Sequence, residues 1–281
     1  MAYKLPVLVG ADPELFMKHP DTGEFISADD LDGGPRIPGT KIEPYKVPYG
    51  AVQIDGTALE FNIDPAKTVD EFLHNITAVR KTISEMVPGY NVVAEPVARF
   101  NPDYFKFQVP SHALELGCMP DFNGWTMDVN PRPDPQGEPL RTASGHIHIG
   151  WTEGQDVEEQ AHYLKCCQFA RQLDYYLGMY SLFWDKDGTR RKLYGRAGAF
   201  RPKPYGLEYR VLSNRWLDNP ELIKWVYNTT QCAMADGFDG LWAEDKYGDI
   251  AQVVIDTNDV DWPEHYCECD LNLEPLPQLA A

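Results

Sequence analysis

Five short segments of this chain combine apolar residues with polar positions that are mostly acids, histidines or arginines. They are residues 7–15, 52–55, 59–63, 146–150 and 207–211. Polar and apolar residues alternate in these segments, and the first leads into an acidic pair. This is the period of β-strands with one apolar face. The spacing predicts a sheet whose polar face collects the charged side chains.

The polar face of this predicted sheet is rich in acids and imidazoles. Its members are Asp12, Glu14, Gln53, Asp55, Glu60, Asn62, His146, His148, Glu208 and Arg210. Any antiparallel sheet with one wet face alternates in the same way, so each pair alone could be solvated surface. Clustered carboxylates, however, repel one another unless cations are bound. Several carboxylates with an imidazole suit Mg²⁺ or Mn²⁺, whereas zinc prefers more nitrogen or sulfur ligands.

A second cluster, downstream of the histidines, is cationic in an otherwise acidic chain. It comprises Arg190, Arg191, Lys192, Arg196, Arg201, Lys203 and Arg210. Planar guanidinium groups make paired hydrogen bonds to phosphate and carboxylate oxygens. The cluster therefore indicates an anionic ligand, although residues 190–192 could also form a solvated basic loop.

The composition limits the classes of function. A formal charge of −18 over 281 residues argues against binding the backbone of a nucleic acid. No apolar run is long enough to cross a membrane and no secretory segment follows Met1, so we expect a cytoplasmic protein. The six cysteines lack a disulfide framework and are expected to be reduced. Cys267 and Cys269, near His265, give a weak hint of a metal or redox site.

Three helices are predicted from start signals followed by amphipathic runs. Thr68 and Glu71 form a capping box before residues 72–87, and Asp156 and Glu159 are spaced in the same way before a run to about residue 184. Asn219 and Pro220 open the third helix, to about residue 235. We expect a single α+β catalytic domain over residues 1–281, with a peripheral extension from about residue 240. A curved, mainly antiparallel sheet would present its polar concave face, with helices on the convex face.

The order of these motifs resembles a known superfamily of ligases. An early D-x-E, a carboxylate-bearing strand, a central GHIHIG and a late LEYRV are similar to the catalytic domain of glutamine synthetase and glutamate–cysteine ligase. Residues 10–14 (GADPE), 117–123 (GCMPDFN) and 145–150 (GHIHIG) most closely resemble carboxylate–amine ligases encoded by phages. The resemblance spans roughly residues 7–215. It implies the glutamine synthetase catalytic fold and, for a phage protein, the host cytoplasm.

The resemblance also implies a set of metal ligands. They are Asp12, Glu14, Glu60, His146 and Glu208, with Asp55 as a companion carboxylate. At the first position Asp12 replaces the usual glutamate and is one methylene shorter. We also expect no counterpart of the separate amino-terminal domain of glutamine synthetase.

Further positions are expected to act on the substrates. His148 would lie nearer the substrate and Arg210 near the transferred phosphate, while Arg190, Arg196 and Arg201 would bind the nucleotide. The implied activity joins a small-molecule or peptide carboxylate to an amine or ammonia, with ATP and Mg²⁺ or Mn²⁺, through an acyl phosphate. The base that deprotonates the amine could be Asp55 or Asp121, although Asp121 also suits an ordinary turn.

Two other interpretations remain open at this point. A metal-dependent hydrolase could use the His-x-His strand to hold zinc, but would normally need further histidines, and it leaves the arginines unexplained. A non-catalytic binding protein could retain the same fold. The substrates and the oligomeric state cannot be read from the sequence.

Overall fold

The computed structural model describes residues 7–114, 121–133, 138–266, 271 and 273–278. The protein is α+β, with antiparallel strands that curl into a half-barrel. In chain order the strands are β1 (Leu8–Ala11), β2 (Glu14–Lys18), β3 (Phe25–Ile26), β4 (Asp29–Asp30), β5 (Gly34–Pro35), β6 (Tyr45–Val47), β7 (Gly50–Asp55), β8 (Ala58–Ile63), β9 (Asn91–Val93), β10 (Val97–Arg99), β11 (Phe122–Asn123), β12 (Leu140–Thr142), β13 (Ile147–Gly150), β14 (Ala199–Lys203) and β15 (Gly206–Tyr209).

Helices follow or interrupt the strands. The α-helices are α1 (Val69–Met86), α2 (Pro102–Phe107), α3 (Ser111–Leu114), α4 (Gln160–Leu173), α5 (Thr189–Leu193), α6 (Pro220–Phe238), α7 (Ala243–Tyr247), α8 (Ile250–Thr257) and α9 (Trp262–His265). A π-helical turn spans Asp174–Gly178, and 3-10 turns span Tyr180–Phe183 and Asn214–Asp218. In the described part of the chain, no helix is long and apolar enough to cross a membrane.

Two sheets meet at a bend between β1 and β2. The first sheet has the order β1-β13-β15-β14-β11, and the second has β3-β2-β8-β7-β6, with β9 also paired to β2. The predicted continuous strand over residues 7–15 is wrong, because it breaks at Asp12 and Pro13. Pro13 has no N–H to donate to a ladder. The flanking N–H groups of Asp12 and Glu14 instead donate to the carbonyls of His146 (3.4 Å) and Ser144 (2.9 Å).

Two of the three predicted helix starts are confirmed. Thr68 accepts a hydrogen bond from the Glu71 N–H at the start of α1, and Asn219 accepts one from the Glu221 N–H at the start of α6. The predicted capping box at Asp156 is wrong. Its Oδ1 accepts from the Glu158 N–H, which closes a local turn, and α4 begins only at Gln160.

The helices pack on the sheets and enclose the main core. α1 contacts β7 and β8, whereas α4 contacts β14 and β15. The buried side chains between them include Phe61, Phe72, Phe169 and Phe200, and the same core continues into Ala251 and Trp262. A second, smaller apolar cluster contains Phe16, Ala58, Phe100, Phe105 and Ala113. The division into one domain with a peripheral extension stays a prediction.

Candidate active site

Strand pairing brings the His-x-His segment beside the Glu-x-Arg segment. On the first sheet His148 is directly opposite Glu208, and Glu208 is in turn opposite Arg201. Residues directly opposite in an antiparallel pair have neighbouring side chains. The central residues of the site are therefore positioned by three adjacent strands, β13, β15 and β14.

Asp12, His148 and Glu208 form the cluster best arranged to hold a metal ion. One ligand atom from each lies within 4.8 Å of the others. His148 Nε2 is 3.0 Å from Asp12 Oδ1, and its Nδ1 contacts the Tyr205 hydroxyl. The bend at Pro13 carries Asp12 over the end of β13, which is how a residue outside the strand reaches the two that lie on it.

His146 lies on the arginine side of the same cluster. Its Nδ1 is 3.2 Å from Asp12 Oδ1, 3.5 Å from Glu208 Oε1 and 3.2 Å from Arg210 Nη1. Burial, together with the positive charge of Arg210, lowers the pKa of His146. Burial alone would also lower the pKa of His148, but the charge of Asp12 reverses this and raises it. The two imidazoles thus differ in electrostatic environment although both contact Asp12.

Glu208 is surrounded by cationic groups. Arg210 Nη1 contacts its Oε1 and Lys203 Nζ lies 2.6 Å from its Oε2, while Arg201 Nη1 lies 4.0 Å from Oε1. Burial opposes ionisation, but Arg210 outweighs it and holds the pKa of Glu208 at about 2. The residue is a carboxylate at any physiological pH.

Glu14 and Glu60 form a second acidic pair, on the other sheet. They are opposite each other on β2 and β8. Glu14 Oε2 accepts from the Ser144 N–H at 2.7 Å, and Glu60 Oε2 accepts from Gln53 Nε2 at 2.7 Å. Burial and then the charge of Asp55 raise the pKa of Glu14 to about 7. Burial and then the charge of Asp12 raise the pKa of Glu60 well above its usual value.

Asp121 is held by two arginines next to this cluster. Arg210 Nε lies 2.6 Å from its Oδ1, and Arg201 Nη2 lies 3.6 Å from the same atom. Arg210 thus bridges Asp121 and Glu208. This arrangement fixes the guanidinium plane of Arg210 at the edge of the cluster of Asp12, His148 and Glu208.

A cleft adjoins these residues; its empty space, including the part open to solvent, is about 640 Å³. Its lining includes Glu14, Asp55, Asp121, Arg141, Ser144, His146, Arg190 and Arg210. Asp55 Oδ2 lies 2.6 Å from Lys41 Nζ. Arg190 is buried, and its Nη atoms donate to the carbonyls of Val211 (2.7 Å) and Arg210 (3.2 Å). Arg190 therefore supports the chain just beyond β15 as well as facing the cleft.

Arg196 lies apart from the rest of the predicted site. It is exposed, and its charge acts on Asp256, which lies on α8. Among the residues that the structure describes, no ion pair joins Arg196 to an acid of the cluster. Cys267 and Cys269 lie outside the described residues, while Cys166, Cys167 and Cys232 are free thiols as expected.

Sequence reasoning missed two residues of the site. Tyr205 lies in the turn between β14 and β15, where alternation gives no signal. Arg141 is out of phase with His146 and His148, because the chain passes from β12 to β13 between them. Lys203, on the same face as Arg201, belonged to the predicted basic cluster but was not assigned a role.

Comparison with known proteins agrees with the resemblance seen in the sequence. Residues 141–236 match the model of a family described as phage phiEco32-like COOH.NH2 ligase-type 2. The resemblance to carboxylate–amine ligases is confirmed over this stretch, about a third of the chain. No curated protein matches the chain. The matched stretch contains β13, β14 and β15 and includes His146, His148, Glu208 and Arg210, whereas Asp12, Glu14 and Glu60 precede it.

Proposed function

We propose that this protein is an ATP-dependent carboxylate–amine ligase that forms an amide bond through an acyl phosphate. The observation that carries the proposal is the cluster of Asp12, His148 and Glu208 beside an arginine-lined cleft. A carboxylate is a poor electrophile, and transfer of a phosphoryl group from ATP activates it. The family match supports the joining of a carboxylate to an amine, and the cluster supplies what phosphoryl transfer needs.

The residues of the cluster fit a divalent metal ion such as Mg²⁺ or Mn²⁺. Carboxylate oxygens are the ligands that these hard cations prefer, with one imidazole tolerated. Glu14 and Glu60 add a specific reason. They face each other, and in the described part of the chain no lysine, arginine or histidine forms an ion pair with either. A bound cation would relieve that repulsion and would offset the charge of the nucleotide phosphates.

The arginines are placed to act on the transferred group. Arg210 lies between Glu208 and Asp121, and Arg201 reaches the same two carboxylates from β14. Fixed guanidinium groups stabilise negative charge that spreads over a phosphoryl group in the transition state. We assign to Arg210 and Arg201 the phosphate-binding role that the sequence predicted.

Of the two candidate bases, Asp55 fits better than Asp121. A base needs one carboxylate oxygen near the amine. Asp121 Oδ1 is held by two guanidinium groups, whereas among the described residues Asp55 forms one ion pair, with Lys41. Asp55 lines the cleft and holds the ammonium group of Lys41 at 2.6 Å. A carboxylate that binds one ammonium group suits the binding and deprotonation of a substrate amine. Asp121 then positions Arg210.

The curled antiparallel sheet with a polar site is consistent with the catalytic fold of glutamine synthetase, which we propose as the structural relative. We also propose that the chain is a single catalytic domain and that it acts in the cytoplasm. If the protein is encoded by a phage, this would be the cytoplasm of the host cell. The carboxylate would belong to a small molecule or a peptide, and the amine could be free ammonia.

The test is a screen of carboxylate and amine pairs for nucleotide products, with Mg²⁺ or Mn²⁺ present. We expect ADP and phosphate, and we expect nucleotide binding to be lost when a chelator removes the metal. AMP and pyrophosphate would indicate an acyl adenylate and contradict the acyl-phosphate route. Equal binding of an ATP analogue with and without chelator would remove the metal from the proposal.

A further inference from the structure

Lys41 places an ammonium group of this chain on a carboxylate of the cleft. Lys41 Nζ lies 2.6 Å from Asp55 Oδ2, and Asp55 belongs to the cleft lining. Asp55 follows Gln53 on the same face of β7, and Gln53 is directly opposite Glu60 on β8. The ion pair therefore lies beside the acidic pair of the second sheet.

The turn that carries Lys41 is closed mainly on itself. The Thr40 N–H donates to the Glu43 carbonyl at 3.0 Å, and the Glu43 N–H donates to the Thr40 hydroxyl at 3.1 Å. Ile42, the next residue after Lys41, is 97% exposed. The Lys41 side chain is itself 44% exposed, and an ion pair this exposed contributes little to stability. A ligand with an ammonium group can therefore displace Lys41 from Asp55 at a small cost.

The surroundings of Asp55 suit an ammonium group that is attached to an apolar chain. Ala58, directly opposite Asp55, and Ala113, whose carbonyl lies against Gly56, are both part of the cleft lining. Asp55 is 24% exposed, so a ligand can extend from it towards solvent as Lys41 does. An alkyl chain would bury apolar surface against this wall, whereas free ammonia has none to bury.

We propose that Lys41 is an internal stand-in for the amine substrate, and that the site takes a primary alkylamine in preference to ammonia. The inference rests on the proposed function only in assigning Asp55 to the amine. Lys41 has to leave Asp55 before the substrate binds, so the two ammonium groups compete.

The ligation step then follows from the proposed acyl phosphate. The bound alkylammonium ion gives one proton to Asp55, and its nitrogen attacks the carbonyl carbon of the acyl phosphate. The new C–N bond forms as the C–O bond to phosphate breaks, and the second proton leaves with the phosphate.

The experiment measures binding of n-butylammonium chloride to the full chain by calorimetry, because its four carbons reproduce the lysine side chain. Ammonium chloride lacks the alkyl chain, and 1-butanol lacks the charge. Each titration is run with Mg²⁺, with and without a non-hydrolysable ATP analogue. We expect butylammonium to bind about tenfold or more tightly than ammonium, as burial of two methylene groups would give, and also more tightly than butanol.

Three substitutions test the competition directly. Lys41→Ala should tighten the binding of butylammonium roughly two- to sixfold, the range expected when an exposed competing ion pair is removed. Lys41→Arg keeps a cation for Asp55 and should not tighten it, while Asp55→Asn should abolish binding. The control is Lys46→Ala, which removes an exposed lysine from β6 and should leave the affinity unchanged.

Two results would overturn the choice of an alkylamine: ammonium that binds as tightly as butylammonium, or butanol that does so. An affinity for butylammonium that is the same in the parent protein and in Lys41→Ala would assign Lys41 to the turn alone and overturn the proposal. So would an absence of binding in both proteins, or binding that persists in a folded Asp55→Asn variant.

Because the readout is binding and not turnover, the two proposals fail separately. Butylammonium binding that depends on Asp55 and is tightened by Lys41→Ala, without ADP release from any substrate pair, would refute the ligase mechanism and retain the amine site. ADP release that ammonia supports and butylamine does not would retain the ligase and overturn the inference.

Discussion

The two acidic groups of the site differ in how their charge is balanced. On the first sheet, Glu208 is in contact with Arg210 and Lys203, and its pKa is about 2. On the second sheet, Glu14 and Glu60 face each other, and among the described residues their hydrogen-bond donors are neutral, namely the Ser144 N–H and the Gln53 amide; their pKa values are raised. The carboxylate of Glu208 is therefore balanced without a ligand, whereas a bound cation would favour ionisation of Glu14 and Glu60.

This difference suggests that the two groups of carboxylates have different roles. Carboxylates that are already paired with arginines hold those arginines in place. Charges held in place in this way stabilise a transition state without having to reorganise. Carboxylates that lack a cation have a high affinity for one. We infer that the Glu208 side orients the arginines that act on phosphate, while the Glu14 and Glu60 side dominates metal affinity.

The largest expected effect is on stability without metal. Glu208→Gln should lower the free energy of unfolding by about 3–5 kcal/mol, because it leaves buried cations without their carboxylate. Glu60→Gln is the matched change on the other side, and it should cost little or even stabilise, since burial disfavours ionisation of this carboxyl and raises its pKa well above the usual value, and no cation of the described residues forms an ion pair with it. Urea denaturation in the presence of a chelator measures both. Equal losses for the two variants would contradict the comparison.

The second effect concerns pH. Between pH 4.5 and about 7, an unfolded Glu14 has lost its proton while the folded one retains it. Stability without metal should therefore fall as pH rises through this window, by at most about 3 kcal/mol from Glu14.

Asp174, whose pKa burial also raises to about 7, titrates in the same range. We therefore compare the free energy of unfolding of the parent protein with that of Glu14→Gln, measured by denaturation at several pH values. Saturating Mn²⁺ should reduce the pH dependence of this difference. A slope that Glu14→Gln leaves unchanged would show that Glu14 is ionised in the folded protein at neutral pH without metal.

The third effect is on catalysis. Arg210→Lys keeps the charge beside Glu208 and Asp121 but loses the planar fork. Turnover should fall roughly ten- to a thousandfold, the range expected when one preorganised donor is lost, with a melting temperature within a few degrees of the parent. Arg215→Lys, at a half-exposed pair with Asp218, is the control. Loss of stability with full activity per folded molecule would assign Arg210 a structural role.

The sequence predicted the neighbours of Glu208 better than the pairing of Glu14 with Glu60. Glu208 and His148 lie on regular strands, and Arg210 and His146 directly adjoin the same strands, where alternation fixes the side of the sheet and pairing fixes the neighbours. The alternation of residues could not show which acids form ion pairs with cationic side chains, because ion pairing depends on which strands become adjacent. The opposition of Glu14 to Glu60 exists only because the chain bends at Pro13 and changes sheets.

The helices show a similar limit. Caps at Thr68 and Asn219 were predictable because the signal and the helix are contiguous in sequence. At Asp156 the same residue types close a turn instead, since Asp and Asn side chains serve turns and helix caps equally well. Arg141 and Tyr205 had no sequence signal, because each reaches the site from a turn or from a strand of another sheet.

The smallest effect tests which histidine belongs to the metal site. The resemblance assigns His146, whereas the geometric cluster contains His148. For His148 Nε2 to bind a metal ion, its Nδ1 must carry the proton and donate it to the Tyr205 oxygen. Such partners of metal-binding histidines orient the ring and fix its tautomer.

Tyr205→Phe removes that acceptor and should weaken binding of Mn²⁺ alone by about tenfold, the lower end of the effects seen for such partners. Calorimetry with Mn²⁺ and no nucleotide measures this directly, and Tyr45→Phe, on the exposed strand β6, is the control. His148→Ala should weaken Mn²⁺ more than Tyr205→Phe does, because it removes the ligand itself. If His146→Ala weakens Mn²⁺ instead, and both His148→Ala and Tyr205→Phe bind it normally, then His146 is the ligand and the Tyr205 contact serves the substrate side of the site.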